Sequence, residues 1–399
     1  MAVNYIEIDL KQPLRSLSIQ KKTQRLWILA FWGAQPLGWM RINQQVDLSL
    51  LKKRMVRTFS WDLWQQAISG NLVNNSSNQH PLPISVVVCT RDRRISLERC
   101  LKSLKQQDYS SYEVIVIDNG SSDRSIRDVV AEYGFRYVQE NRPGLDWARN
   151  RGVQAASREI IAFIDDDALA SPGWLRGIAQ GFTDPEIMVV TGLVLPAELE
   201  TPAQFDFEEY GGMGKGFYRF TIHPNTLSDQ QKFWASSWGV GTNMAFRRRL
   251  FDIIGDFDVA LDVGTPSCGG GDIEFIYRTI EAGFMLRYEP SAWVRHFHRK
   301  ERKALTRQIY NNGRAFPNYL LTVARKQPQK RWAIFKFALN HWLWRWLLPR
   351  IISAVIRGDI YKLRLALIEF WGSLSSLPAY WQSQRTAERL KAQGGDISA

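Results

Sequence analysis

Residues 160–170 read Ile-Ile-Ala-Phe-Ile-Asp-Asp-Asp-Ala-Leu-Ala, five apolar side chains followed at once by three carboxylates. A short, wholly apolar run is the pattern of a strand buried on both faces, as in a parallel α/β sheet. Strands in open α/β sheets present ligands at their carboxyl ends. Three adjacent carboxylates repel one another unless a cation neutralises them, and a divalent metal that also binds phosphates does so most simply. The stretch therefore predicts a metal-assisted site for a phosphorylated substrate.

The pattern around it agrees. Ile84–Thr90 is a strand ending in polar residues, and Glu113–Asp118 is a second ending in a carboxylate. Helices are predicted over 97–105, 124–133, 147–156 and 273–282. Strand and helix alternate, which predicts an α/β domain with a largely parallel sheet over 84–305. Before it, residues 1–70 predict a small β-rich module. Tyr5–Leu10 alternates apolar and polar, and Arg25–Trp32 and Pro36–Ile42 flank a turn at Gly33-Ala34-Gln35. Residues 71–83, rich in Asn, Ser and Pro, predict a linker.

The chain has 399 residues, 45% of them hydrophobic, enough for a substantial core. A net charge of +13 favours anionic partners. Cys89, Cys100 and Cys268 are too few and too scattered for a disulfide framework or a zinc site. No secretory signal is evident at the N-terminus, and no charge-free stretch reaches 18 apolar residues. A cytoplasmic protein, peripheral on the inner face of the membrane, is expected.

Three strand ends gather polar residues on one sheet edge: Thr90–Arg93, Asp118–Asp123 and Asp165–Asp167. These segments, with Asn141–Leu145 and Ala148–Gly152, resemble glycosyltransferase family 2, whose inverting members have the GT-A fold. Gly241–Arg247, Gly255–Asp258 and Gly270–Glu274 match the family's acceptor-side pattern. The resemblance runs from about residue 83 to 300, in order.

The resemblance implies roles. Asp118 and Thr90 would face the nucleotide base, with Asp92 helping at the nucleoside. Asp165 and Asp167 would hold the ribose and a Mg2+ or Mn2+ on the diphosphate. His296, in the pair His296 and His298, would complete the metal site. Asp272 would be the catalytic base, with Glu274 the next candidate. Many family members carry an acid just before this Asp, where this chain has Gly271. Trp238 and Asn243 would lie on the acceptor side. Arg299, Lys300, Arg302 and Lys303 would lie near the diphosphate.

Residues 306–399 predict a basic, aromatic, amphipathic helical tail. Between Arg325 and Arg364, ten Lys or Arg accompany one acid, Asp359, and are interleaved with Trp332, Phe335, Trp342, Trp344 and Trp346. This suits an interfacial helix on an anionic membrane surface rather than a nucleic-acid contact, the alternative being packing on the catalytic domain. The expected function is an inverting, metal-dependent glycosyltransferase. It would move a sugar from a nucleotide-sugar donor to a hydroxyl on a lipid-linked or saccharide acceptor, in polysaccharide or glycolipid synthesis at the membrane. A catalytically silent membrane scaffold and a sugar nucleotidyltransferase are the alternatives.

Overall fold

The computed structural model describes residues 3–12, 25–42, 48–73 and 81–394. The predicted linker over 71–83 falls largely outside them. The chain opens with β1 (Val3–Asp9), β2 (Arg25–Trp32), β3 (Gln35–Ile42) and a helix, α1 (Leu48–Val73). β1 pairs parallel to β2, and β2 turns antiparallel into β3. α1 is not anticipated by the β-rich reading of this region. Its apolar residues Leu51, Met55 and Phe59 recur every four positions and close the sheet's inner face against Ile28 and Met40.

The central domain carries β4 (Ile84–Thr90), α2 (Arg94–Lys105), β5 (Tyr112–Asp118), α3 (Ser125–Glu132), β6 (Arg136–Gln139), α4 (Leu145–Ala155), β7 (Ile160–Asp165), β8 (Ala168–Ala170), α5 (Trp174–Gly181) and β9 (Ile187–Pro196). It continues with α6 (Pro202–Tyr210), β10 (Phe220–Ile222), α7 (Asp229–Phe233), β11 (Asn243–Arg247), α8 (Arg249–Ile254), α9 (Gly271–Glu281) and β12 (Met285–His296). The predicted helices all form, with ends shifted by at most three residues.

The sheet order is β10-β12-β9-β11-β7-β4-β5-β6, with β8 beside β12. The half β7-β4-β5-β6 is parallel, as its apolar strands require. The other half is mixed, because β11 runs antiparallel between β7 and β9. In the parallel half, register places Thr90 beside Asp118 and Cys89 beside Asp165, so the polar strand ends share one edge. Leu97, Leu101 and Leu104 of α2 cover one sheet face with Ile126 and Val129 of α3. The other face is filled by Ala148 and Val153 of α4 and Phe275 and Ile276 of α9.

The N-terminal sheet packs against the mixed half. Leu29 and Phe31 meet Leu193, Leu195, Tyr288 and Trp293, and Trp293 Nε1 donates to the Ala34 carbonyl at 3.0 Å. Glu7 forms a bidentate ion pair with Arg295 of β12, next to His296.

The C-terminal helices are α10 (Arg302–Lys326), α11 (Arg331–Phe337), a π-helical stretch over Ala338–Leu347, α12 (Leu348–Ile356), α13 (Ile360–Leu374) and α14 (Ser376–Gly394). α10 buries Ile309, Tyr319, Leu320 and Val323. It meets α13 through two glycines. A Cβ on Gly313 would lie 2.3 Å from the Glu369 carbonyl oxygen, and one on Gly372 would lie 2.2 Å from that of Tyr310. Much of the tail therefore packs on the domain. Part of its apolar surface stays exposed: Trp332, Phe335, Trp344, Ile356, Ile360 and Trp371 are all more than half accessible. No helix among the described residues is long and apolar enough to cross a membrane.

Candidate functional site

The end of β7 delivers the acidic cluster. Asp166 accepts from Thr90 Oγ1 at 2.7 Å and from Arg93 Nη1 at 3.0 Å. Arg93 Nη1 also reaches Asp167 Oδ2 at 3.0 Å. Burial pushes the Asp166 carboxyl up to about 6, against the pull of Arg93. Asp165 accepts from Thr242 Oγ1 at 2.5 Å. Burial, then the neighbouring Asp167 charge, raise its proton affinity, opposed by Arg149 and Thr242.

His296, at the end of β12, joins this cluster. Ligand atoms of Asp165, Asp167 and His296 all lie within 4.8 Å of one another, with His296 Nε2 3.2 Å from Asp167 Oδ1. Behind it, His296 Nδ1 is 3.0 Å from His298 Nδ1, and His298 Nε2 is 2.8 Å from Glu208 Oε1. The partners assign the tautomers. A carboxylate only accepts, so His298 Nε2 carries its proton toward Glu208. Burial pushes the His298 pKa down, outweighing the pull of Glu208, and leaves Nδ1 an acceptor. His296 Nδ1–H then donates to it, and the Nε2 lone pair faces the two carboxylates. Two carboxylate oxygens and one imidazole nitrogen suit Mg2+ or Mn2+ in kind and charge. A proton on Nε2 would fill the same seat.

Asp272 lies across the cleft, in the first turn of α9. Its Oδ2 accepts from Gly241 N at 2.7 Å, one residue before the Thr242 that holds Asp165. The cleft containing both carboxylates has a volume of about 1090 Å³. Lys215 also lines it; burial pushes its pKa down, and the Asp272 charge opposes this. Gly271 is explained by Asp146, whose Oδ2 lies 1.9 Å from where a Cβ at 271 would stand. Asp146 is buried and paired with Arg149 at 2.9 Å, so α4 brings a carboxylate against the start of α9. Asp262 accepts from Leu145 N and Asp146 N at 2.6 and 2.8 Å, satisfying the free N–H groups at the start of α4.

Other expected site residues fall differently. Thr90 is buried beneath Asp166. Asp118 is 3% exposed, with Oδ1 taken by Ser121 N at 2.9 Å and Oδ2 by Tyr137 Oη at 2.8 Å. Asp92, at a positive φ of 53°, ties two loops together by accepting from Ser122 N and Oγ at 2.7 and 2.8 Å. Trp238 lines the cleft but is 8% exposed.

Two residues expected on the acceptor side are engaged within the protein. Asn243 is a core residue: its Nδ2 donates to the Leu193 and Ala292 carbonyls, and its Oδ1 accepts from Trp174 Nε1 at 2.9 Å. Glu274, 2% exposed, is consumed by Lys326 and Arg278 at 2.9 Å each. Two expected diphosphate contacts are engaged elsewhere. Lys300 pairs with Glu198 and Glu200, and Arg302 faces Asp206. Arg93, Thr242, Asp146, Glu208 and Asp262 went unassigned in the sequence because nothing local marks their partners, which lie 73 to 116 residues away.

One cleft is thus lined both by Asp165, at the carboxyl end of the parallel strand β7, and by Asp272 at the start of α9. The sequence model of one family, Glycosyl transferase family 2, matches residues 85–255 of the chain. A pre-mycofactocin glycosyltransferase of Mycobacterium tuberculosis is 28% identical over 251 residues, 60% of this chain and 49% of its own length. A glucosyl-dolichyl phosphate glucuronosyltransferase of Haloferax volcanii is 27% identical over 187 residues, 44% of this chain and 56% of its own. The chain thus spans about half the length of the curated relatives it matches. Among solved structures, a mannosyltransferase from Pyrobaculum calidifontis in complex with GDP-Man and Mn2+ aligns with a TM-score of 0.46 at 15% identity, over 86% of this chain and 90% of that one.

Proposed function

We propose that the protein is an inverting, metal-dependent glycosyltransferase that moves a sugar from a nucleotide-sugar donor to an acceptor hydroxyl. The carrying observation is the cluster of Asp165, Asp167 and His296 in reach of one another, with Asp272 across the same cleft. Asp165, Asp167 and His296 would hold Mg2+ or Mn2+, which when bound offsets the charge of the diphosphate. Gly241 N–H fixes one oxygen of Asp272. The other is left to take the proton of the acceptor hydroxyl as its oxygen bonds to the anomeric carbon. The bond from that carbon to the diphosphate breaks on the opposite face, releasing the nucleoside diphosphate and inverting the centre. Asp118, Asp92 and Thr90 shape the nucleotide end through the loops they tie.

The exposed aromatic and apolar residues of the C-terminal helices, with the chain's positive charge, support work at an anionic membrane surface on the cytoplasmic side, in polysaccharide or glycolipid synthesis. Thermal unfolding with UDP, GDP, dTDP and CDP, each with and without Mn2+, tests the donor reading. A Mn2+-dependent rise for one nucleotide, lost in Asp165→Ala, is expected. No rise with any of them in folded protein would reject it. The anomeric configuration of the product, read by proton NMR, tests inversion.

A further inference from the structure

The cleft does not end at Asp272. It continues between α7, α10 and the π-helical stretch, where its walls are Trp234, Phe316, Trp342 and Trp346. The Trp234 and Phe316 rings stack 5.3 Å apart at 29°, and Trp346 sits 5.7 Å from Trp234. These rings are fixed in place. Trp346 Nε1 donates to Glu369 Oε1 at 3.0 Å, and Tyr210 Oη donates to the other Glu369 oxygen. The Arg350 guanidinium lies 3.4 Å from the centre of a Trp346 ring and donates to the Tyr210 carbonyl at 2.7 Å.

Two consequences bear on what the corridor takes. On the Trp346 side of the wall, Tyr210, Glu369 and Arg350 are spent on one another and on Trp346, so they have little left for sugar hydroxyls, which need placed donors and acceptors; Gln308 and Asn312 of α10 line the cleft beside Phe316. The π-helical stretch that brings Trp342 and Trp346 to the wall leaves Leu339 and Trp344 exposed, and α11 before it leaves Trp332 and Phe335 exposed.

We propose that this corridor is an aglycone subsite: the acceptor carries its reactive hydroxyl on a polar head joined to an apolar chain, and Trp234, Phe316, Trp342 and Trp346 hold that chain. The inference rests on the glycosyltransferase reading, since it takes Asp272 as the place of the acceptor hydroxyl. It selects an amphiphilic acceptor over a soluble saccharide.

The test uses full-length protein and monomeric glycosides below their micellar concentrations. Methyl and decyl β-glucoside, and maltose and decyl β-maltoside, are compared by calorimetric titration. The decyl chain should tighten binding at least about tenfold with either head. Trp346→Ala and Trp342→Ala should each remove most of that gain. Trp344→Ala, altered on the exposed side of the same segment, should keep it. A Mn2+-dependent melting rise with the donor nucleotide shows that each variant is folded. Equal binding of short and long glycosides, no saturable binding of either decyl glycoside, or an equal loss in Trp344→Ala would overturn the subsite. If the nucleotide shift survives without a chain-length effect, the corridor proposal fails and the glycosyltransferase reading stands. If the chain-length effect survives and no nucleotide binds, the corridor is a site for apolar chains, and its assignment to an acceptor falls with the glycosyltransferase reading.

Discussion

Asp165 and Asp272 are fastened to consecutive residues of one turn: Thr242 Oγ1 donates to Asp165, and Gly241 N donates to Asp272. The turn leads directly into β11, whose Asn243 is locked to Leu193, Ala292 and Trp174. The spacing between the acidic cluster and the opposed carboxylate is thus set by two neighbouring peptides anchored in the core. A geometry of this kind suits a reaction in which positioning supplies much of the rate.

Replacing Asp272 by Asn keeps an oxygen for the Gly241 N–H and removes the proton acceptor. Transfer should fall by about 10²- to 10⁴-fold, while the nucleotide-dependent melting rise remains. Steady-state transfer and thermal unfolding read the two arms. Unchanged transfer would remove Asp272 from the chemistry.

The row Asp167–His296–His298–Glu208 should matter for cation binding. Glu208→Ala frees His298 to change tautomer, and with it His296. Mn2+ affinity, followed by the loss of free-ion EPR signal, should drop about 10- to 100-fold. Wild-type affinity in this variant would show that His296 is oriented by other means.

Gly271→Ala places a methyl against the Asp146 carboxylate, at a site with no room. A loss of about 1–3 kcal/mol in urea unfolding is expected. Gly173→Ala, where the nearest atom is the mobile end of Arg176 at 3.9 Å, is the comparison and should cost far less.

Glu113 provides a pH signature away from the site. Burial raises its pKa, but Ser85 Oγ, Ser157 Oγ and Ser157 N, at 2.6, 2.7 and 2.9 Å, outweigh burial and hold it below the ordinary 4.5. Between its folded value and 4.5 the unfolded chain binds more protons, so stability falls as the pH is lowered through that window. The difference between wild type and Glu113→Gln should be constant above pH 4.5 and shrink below it. Urea midpoints across pH 3.5–7 measure it. A difference that persists unchanged into acid would refute the linkage.

The parallel half of the sheet was legible because β4, β5 and β7 are buried on both faces and read as apolar runs ending in acids. That ordering alone brings Thr90, Asp118 and Asp165 to one edge. The mixed half was not legible, since β11 takes its antiparallel place through pairings with strands tens of residues away. The same reason hides what Asn243 and Glu274 do. An Asn beside a cleft motif and a Glu two residues after Asp272 look functional in sequence, yet one knits three core segments and the other pairs with Lys326, 52 residues on. α1 was missed because the alternation of the strands before it dominated the reading of the N-terminal region. The tail's composition fitted either a membrane or a protein surface, and the helices bury Ile309 and Tyr319 on the domain while leaving Trp344 and Ile360 exposed.

The paired glycines where α10 meets α13 fix the separation of the two helices that carry Phe316 and Glu369. Backbone rests on backbone at Gly313 and Gly372, so neither helix can sink further or slide past the other without a collision. Glu369, which hangs Trp346 in place, belongs to that contact. A bulkier occupant therefore finds no slack in the helix pair, and accommodation has to come from the turns that carry Trp342 and Trp346. The protein gauges its guest against an inflexible jaw with one adjustable side.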